Sequence, residues 1–344
     1  MSDEILFEVR GKAGFVTLNR PQALNALTHA KVKALADQLQ RWAGDPSVAH
    51  IVIKGAGGKA FCAGGDIRSI YDTRMAGDVE SLKPFFRDEY TLNATIKAYP
   101  KPYIALINGI VMGGGVGVSV HGSHRIGTEK TLFSMPETAI GFFPDVGGTY
   151  FLPRMPKKMG IYCALSASRL KQADALASGV LTHAVSEDSL PDLETSLETA
   201  NDIGAALRPY LVAPETGVLQ RNEALVEHAF SASSVTEILN RLDAADEEFS
   251  SKTADAIRQK SPTSVLIAFE QMRRGAQLTF NECMKLEYRI VSRILHGDDF
   301  FEGIRAVVVD KDQAPKWTPN QLGQVDSASL ASYFEEPSDG DLPL

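Results

Sequence analysis

Two stretches of the chain follow the same order: a short buried-type strand, a cluster of glycines, then the start of a helix. In the first, His50-Ile51-Val52-Ile53-Lys54 runs into a Gly-rich loop from Gly55 to Asp66. In the second, Tyr103-Ile104-Ala105-Leu106-Ile107 runs into Asn108-Gly109 and then Gly113-Gly114-Gly115, with a small-residue helix through Val120. Repeated strand, loop and helix units predict a layered α/β core. The same geometry turns backbone N–H groups outward, and glycine lets another backbone or a ligand approach them closely. Two such loops can offer two N–H donors to one developing oxyanion. Taken singly, either loop is better explained by tight turns and helix packing.

The known phosphate motifs fit poorly. A Walker A loop ending at Lys59 would need glycine where Ile53 stands and Ser or Thr where Ala60 stands. Gly55-Ala56-Gly57-Gly58-Lys59-Ala60 matches a dinucleotide fingerprint, but Phe61-Cys62-Ala63-Gly64-Gly65-Asp66 follows it instead of an amphipathic helix.

The remaining elements fill in around these loops. Residues 5–10 and 15–19 form a predicted hairpin about Gly11 to Gly14. Thr28 is a predicted N-cap for a helix through Trp42, and a second helix is expected from Ser81 to Ala98. Short strands are expected at 125–127 and 131–133, helices at 157–167 and 171–178, and a strand at 180–185. Helical periodicity continues through 186–260 and 262–293. The tail beyond Asp326 is acidic, carries Pro and Gly, and is expected to be poorly ordered at its end. The expected division is a core at 1–185, a helical insertion at 186–260, a C-terminal helical region at 261–325 and an acidic tail at 326–344.

Bulk properties narrow the function. With 344 residues and 44% hydrophobic content the chain can bury a substantial core. A formal net charge of -8 argues against nucleic acid as a partner. No run is long and apolar enough for a membrane span. The start, Met1-Ser2-Asp3-Glu4 followed directly by Ile5-Leu6-Phe7, resembles neither a secretory signal nor a transit peptide, so a cytoplasmic location is expected. Cys62, Cys163 and Cys283 are far apart and without a CxxC pair, which disfavours a disulfide framework or a cysteine zinc site.

Four candidates remain. The run Ser134 to Gly148 places Glu137 and Asp145 in an apolar stretch broken by Pro136, Gly141, Pro144 and Gly147-Gly148. It reads as an ordered loop that holds two acids, and charges in such a setting are solvated, paired or used. Glu89 shares one helical face with Phe85, Leu92 and Ile96, so a carboxylate sits on an apolar stripe. A pair with Arg87, or a stripe edge that reaches water, explains it equally well. His121, His124 and Glu129 could approach a metal, yet ordinary helix-end histidines are the commoner case, and no metal is expected. Cys62 reads as a small buried residue rather than a nucleophile, because no histidine flanks it.

Together these motifs resemble the crotonase (enoyl-CoA hydratase/isomerase) superfamily. The residues that carry the resemblance are Lys59-Ala60-Phe61-Cys62-Ala63-Gly64-Gly65-Asp66-Ile67, Ile107-Asn108-Gly109-Ile110-Val111-Met112-Gly113-Gly114-Gly115 and Met135-Pro136-Glu137. The resemblance implies an α/β fold, a crotonase-like spiral of ββα units with a helical C-terminal region, that binds acyl-coenzyme A. It implies an oxyanion hole from the N–H groups of Gly65 and Gly114, with Ala63, Gly65, Asp66, Gly114 and Glu137 contacting substrate. Coenzyme A is then part of the substrate, and no separate cofactor is implied.

Hydratases of this superfamily position water with two glutamates. The second matches Glu137; the first falls at Gly117, which has no side chain. Asp145 stands on the Glu137 loop instead. This pattern resembles the 3-hydroxyisobutyryl-CoA hydrolase branch. Further matches are Phe85-Phe86-Arg87-Asp88-Glu89-Tyr90, Phe142 to Gly148, and Asp299 to Val307 with Asp310-Lys311-Asp312 and Pro315-Lys316-Trp317.

The branch implies hydrolysis of 3-hydroxyisobutyryl-CoA, as in valine degradation, with 3-hydroxypropionyl-CoA as a near analogue. Glu137 and Asp145 would be catalytic, with Asp145 and Glu89 also contacting substrate. Lys311 is a candidate coenzyme A contact. The alternatives are a one-glutamate enoyl-CoA isomerase or a hydratase on short acyl-CoA, or a coenzyme A-binding scaffold without catalysis. The oligomeric state stays open, since the 186–260 segment bears on the trimer contacts usual in the superfamily.

Overall fold

A computed structural model of the protein describes residues 3–344. The chain packs as two compact units. One contains the residues up to Gly65 together with Leu92–Phe133 and Leu170–Gln220; the other contains Asp66–Thr91, Ser134–Arg169 and Arg221–Leu344.

The first unit holds the strands, numbered here in chain order: β1 Ile5–Arg10, β2 Ala13–Leu18, β3 His50–Gly55, β4 Ala60–Cys62, β5 Tyr103–Ile107, β6 Ile110–Met112, β7 His124–Gly127, β8 Leu132–Ser134, β9 Leu170–Lys171 and β10 His183–Ala184. They form a six-stranded sheet in the order β1-β2-β3-β5-β7-β10 and a four-stranded sheet in the order β4-β6-β8-β9. Only the β1–β2 pair of the larger sheet is antiparallel. Strands β3, β5 and β7 are each followed by a short strand of the smaller sheet. This alternation is the spiral of ββα units that the resemblance implies.

Several local expectations hold and others shift for identifiable reasons. Thr28 caps the helix His29–Gly44, its side chain accepting from Lys31 N–H. The first hairpin turns on Gly11-Lys12 rather than over four residues, with Gly11 at φ +58. Gly14 lies inside β2 because Trp42 covers it: a Cβ there would come 2.8 Å from the indole. Strands β4 and β6 lie within what the sequence reads as glycine loops. At three residues each they are too short to show an alternating pattern, although Ala60, Phe61 and Cys62 are all buried.

One face of the larger sheet, with Phe15, Val52, Ile104, Leu106 and Ile126, packs with Leu193, Leu197, Ile203 and Leu207. These leucines and the isoleucine come from the helices Leu190–Glu198 and Ile203–Leu207. Helices run through 186–260, and the division between the two units falls inside that range, at Gln220.

The second unit is mainly helical. Its principal helices are Ile67–Met75, the first part of Lys83–Lys97, Pro262–Gly275 and Phe280–Ile294. The expected poor order of the tail is overturned. Asp326 caps a helix at Ser327–Ser332, Phe334 and Leu342 are buried, and Arg289 holds Asp341 with Nε to Oδ1 at 2.7 Å. Two apolar anchors and one partly buried ion pair tie down a segment whose composition alone reads as a solvated end.

Candidate active site

In the first unit the two glycine loops leave adjacent strands. Strands β4 and β6 are parallel, with Cys62 opposite Val111. A Cβ on Gly115 would lie 2.2 Å from the Cys62 carbonyl oxygen, so the loops meet backbone to backbone, which only glycine permits. Gly64 at φ +114 and Gly113 at φ +48 turn the chain beyond the two strands.

A brace holds the first loop. Leu27 N–H donates to Gly64 O at 2.8 Å and Ala63 N–H to Leu24 O at 3.0 Å. Asn25 Nδ2 donates to Ala56 O and Ala60 O, both at 2.9 Å. The fully buried Lys31 ammonium donates to Asn25 O and Ala26 O, both at 2.9 Å. Among the described backbone hydrogen bonds, none uses the N–H of Gly65 or Gly114. Gly114 opens the helical turn Gly114–Gly117, where the first N–H groups have no partner within the turn. Gly117 is buried at the end of that turn.

In the second unit the expected acids come together. Helix Lys83–Lys97 buries Phe86 and Tyr90 and carries Glu89, itself only 3% exposed, on the apolar stripe. Arg87 does not neutralise it; its guanidinium donates to Tyr288 Oη at 3.1 Å. Glu137 opens the single 3-10 turn Glu137–Ile140 directly after Pro136, and Asp145 follows in the irregular run after Gly141. Both acids are buried. Tyr90 Oη donates to Asp145 Oδ2 at 2.9 Å. Glu89 Oε1 and Glu137 Oε2 are buried with no hydrogen-bond partner.

Burial sets the charge state. It pushes Glu89 and Glu137 well above the usual carboxylate range, and the negative charge of Asp145 reinforces both shifts. Burial also lifts Asp145 to about 7, against the opposing hydrogen bond from Tyr90. All three acids therefore ionise at a higher pH than an ordinary carboxyl.

The loop carrying these acids is braced from below. Gly141, at φ +70, lies against the helix Asp299–Ile304: a Cβ there would be 2.2 Å from Asp299 O. A Cβ on Gly303 would be 2.3 Å from Ile140 O. Phe142 stacks against Phe300 with centroids 4.4 Å apart. Arg305 in turn clamps Glu302, Asp310 and Asp312, with its nitrogens 2.6–2.8 Å from their carboxylates. The C-terminal motif therefore supports the loop mechanically. Lys311, the candidate coenzyme A contact, is exposed at φ +60.

The other candidates are placed as follows. Asp66 caps the helix Ile67–Met75, accepting from Ser69 N–H at 3.3 Å. Ala63 and Gly65 are half-buried in the first glycine loop. His124 stacks on His183 at 5.8 Å, and Glu129 accepts Glu187 N–H at 3.0 Å. Cys62 is fully buried in β4.

Sequence reasoning missed Tyr90, Gln271 and Glu287. Glu287 carried the same signal as Glu89, a carboxylate in register with Cys283, Ile290 and Ile294 on an apolar helical face. The tyrosine and glutamine carried none, since a Tyr in an apolar helix reads as core.

The profile of the enoyl-CoA hydratase/isomerase family matches residues 13–334. The chain belongs to that family. Among its relatives, the zebrafish (Danio rerio) protein named 3-hydroxyisobutyryl-CoA hydrolase, mitochondrial, is 47% identical over 99% of this chain and 92% of its own length. The human protein of the same name is 43% identical over 99% of this chain and 91% of its own. Two solved structures share the fold at 38% identity and cover 99% of this chain. One is described as a carnitinyl-CoA dehydratase from Mycobacterium thermoresistibile, with a TM-score of 0.95 over 99% of that chain. The other is described as an enoyl-CoA hydratase from Rhodobacter sphaeroides, with a TM-score of 0.93 over 100% of that chain. Among the described residues no helix is long and apolar enough to cross a membrane.

Proposed function

We propose that the protein hydrolyses 3-hydroxyisobutyryl-CoA to 3-hydroxyisobutyrate and coenzyme A. The observation that carries this reading is the pairing of two buried acids, Glu137 and Asp145, on one loop, where position 117 offers only a glycine. Adding water across a double bond calls for the carboxylate that Gly117 lacks. Cutting a thioester with water calls for one group to activate the oxygen nucleophile and another to manage its proton. The names of the curated relatives, at 43–47% identity over nearly the whole chain, support the hydrolase over the hydratase and dehydratase descriptions of the two structures.

In this reading the thioester carbonyl accepts the N–H groups of Gly65 and Gly114. One such donor contributes about 2.7–4 kcal/mol to lowering the barrier. Ionised Glu137 takes a proton from water as the water oxygen bonds to the carbonyl carbon. The C–S bond then breaks, and the proton passes to the coenzyme A thiolate. Alternatively Glu137 attacks the carbon itself, releasing the thiolate and forming a mixed anhydride that water opens.

Asp145, held by Tyr90, orients the water or the Glu137 carboxyl. Glu89 Oε1, buried and unpartnered, is assigned to the substrate 3-hydroxyl. A site that hydrogen-bonds that hydroxyl discriminates strongly against the deoxy acyl group, whereas one methyl group changes binding by only about 1–3 kcal/mol. 3-Hydroxypropionyl-CoA is therefore expected to be a second substrate.

The test measures free thiol from 3-hydroxyisobutyryl-CoA beside hydration of crotonyl-CoA by the same preparation. Thiol release without crotonyl-CoA turnover supports the hydrolase. The converse establishes the hydratase or isomerase alternative, and tight binding without either would indicate a scaffold. Label from oxygen-18 water in the Glu137 carboxylate after a single turnover would select the anhydride route.

A further inference from the structure

Beneath the Asp145 loop lies a fourth carboxylate that the proposed chemistry does not use. Glu287, in the middle of the helix Phe280–Ile294, is fully buried. Its Oε2 accepts Gly147 N–H and its Oε1 accepts Thr149 N–H, both at 2.9 Å. These donors flank the start of the turn Gly148–Phe151, immediately after Asp145.

The turn is costly to hold. Val146 sits at φ +50, a conformation a β-branched residue rarely adopts, and Gly147 at φ +90. A second buried group helps from the neighbouring helix. Gln271 Nε2 donates to Pro144 O and Thr149 Oγ1, both at 2.6 Å. Purely structural bracing would need only neutral acceptors, and a fully buried carboxylate is an expensive way to supply them.

We propose that Glu287 is a positioning residue for the thioester hydrolysis: it fixes the left-handed turn that aims Asp145. This rests on the hydrolase reading for its kinetic consequence only.

The groups that share charge with Glu287 come from each neighbouring element: Asp145 and Glu137 on the acid loop, Glu89 and Tyr90 on the helix Lys83–Lys97, and Cys283 on its own helix. The nearby cations are engaged elsewhere. Arg87 binds Tyr288 Oη, and Arg154 binds the carbonyls of Tyr150, Gly275 and Leu278. Burial and the Asp145 charge lift Glu287 itself to about 8, against its two backbone bonds.

The experiment compares the full chain with Glu287→Gln and Glu287→Asp. The glutamine removes the charge and can accept from only one of the two N–H groups. The aspartate keeps the charge but withdraws it by one methylene. In both variants kcat for thiol release should fall tenfold or more with KM changed less than threefold. The second readout needs no turnover: the Gly147 and Thr149 amides, which donate to Glu287, should exchange with solvent at least tenfold faster in ligand-free Glu287→Gln than in wild type.

Unchanged kcat in both variants, a KM that rises as much as kcat falls, or unchanged exchange of the Gly147 and Thr149 amides in Glu287→Gln overturns the proposal. If Glu287→Gln does not fold, Glu287→Asp decides: wild-type kcat overturns it. If the wild-type protein releases no thiol, the hydrolase reading fails, and the amide exchange alone then decides the role of Glu287.

Discussion

Replacing Asp145 by asparagine should make the protein more stable, and by an amount that depends on pH. Asparagine keeps the shape and can accept the Tyr90 hydroxyl with its amide oxygen, so the 2.9 Å bond survives. It removes only the ionisation. In the folded protein Asp145 titrates at about 7, against 3.8 for the ordinary carboxyl.

Between these values the folded chain holds a proton that the unfolded chain has released. Wild-type stability therefore falls as pH climbs through that window and levels off above about 7. The span of roughly three pH units corresponds to about 4 kcal/mol. Between pH 5 and pH 8 the part expressed is about 3 kcal/mol. Asparagine carries no such penalty, and Glu137 and Glu89 lose the repulsion of a neighbouring charge as well.

Urea unfolding of both proteins at pH 5 and pH 8 measures the difference. The advantage of Asp145→Asn over wild type should widen by about 3 kcal/mol at the higher pH, while thioester cleavage at pH 8 falls by at least a hundredfold. A stability difference that is the same at both pH values, or one that favours wild type more at pH 8, would refute the reasoning.

The remaining predictions follow from the same geometry. Thioester cleavage should rise with pH across neutrality, because raised carboxyls reach their reactive ionised form only as pH climbs; a flat kcat/KM profile from pH 5.5 to 8.5 would contradict this. Tyr90→Phe removes a hydrogen bond to a carboxylate worth about 1.5–3 kcal/mol, so the acidic limb should move up by about one to two pH units. Gly303→Ala would drive a methyl to 2.3 Å from Ile140 O, so thermal unfolding should show a loss of more than about 2 kcal/mol; an unchanged melting temperature would mean that the 299–304 helix does not brace the acid loop.

Much of this was legible in the sequence because its signals are local. The Thr28 cap, the buried strands β3 and β5, the broken loop around Glu137 and the misplaced charge of Glu89 each show within a dozen residues. What stayed hidden depends on partners distant in the chain. Tyr90 acquires its meaning from Asp145, 55 residues away, and Glu287 from Gly147, 140 residues away. The short strands β4 and β6 pair only with each other and their sheet neighbours, and three residues cannot declare a period. The tail is ordered by Phe334, Leu342 and Asp341, three anchors too sparse to outweigh its polar composition.

The account stands on Glu137 and Asp145 using water to cut a thioester. Thiol release from 3-hydroxyisobutyryl-CoA by folded Glu137→Gln, beside wild type at pH 8, tests it most directly. The account predicts ready release by wild type and a loss of about a thousandfold or more in the variant, with substrate binding retained. Release by the variant within tenfold of wild type would contradict it.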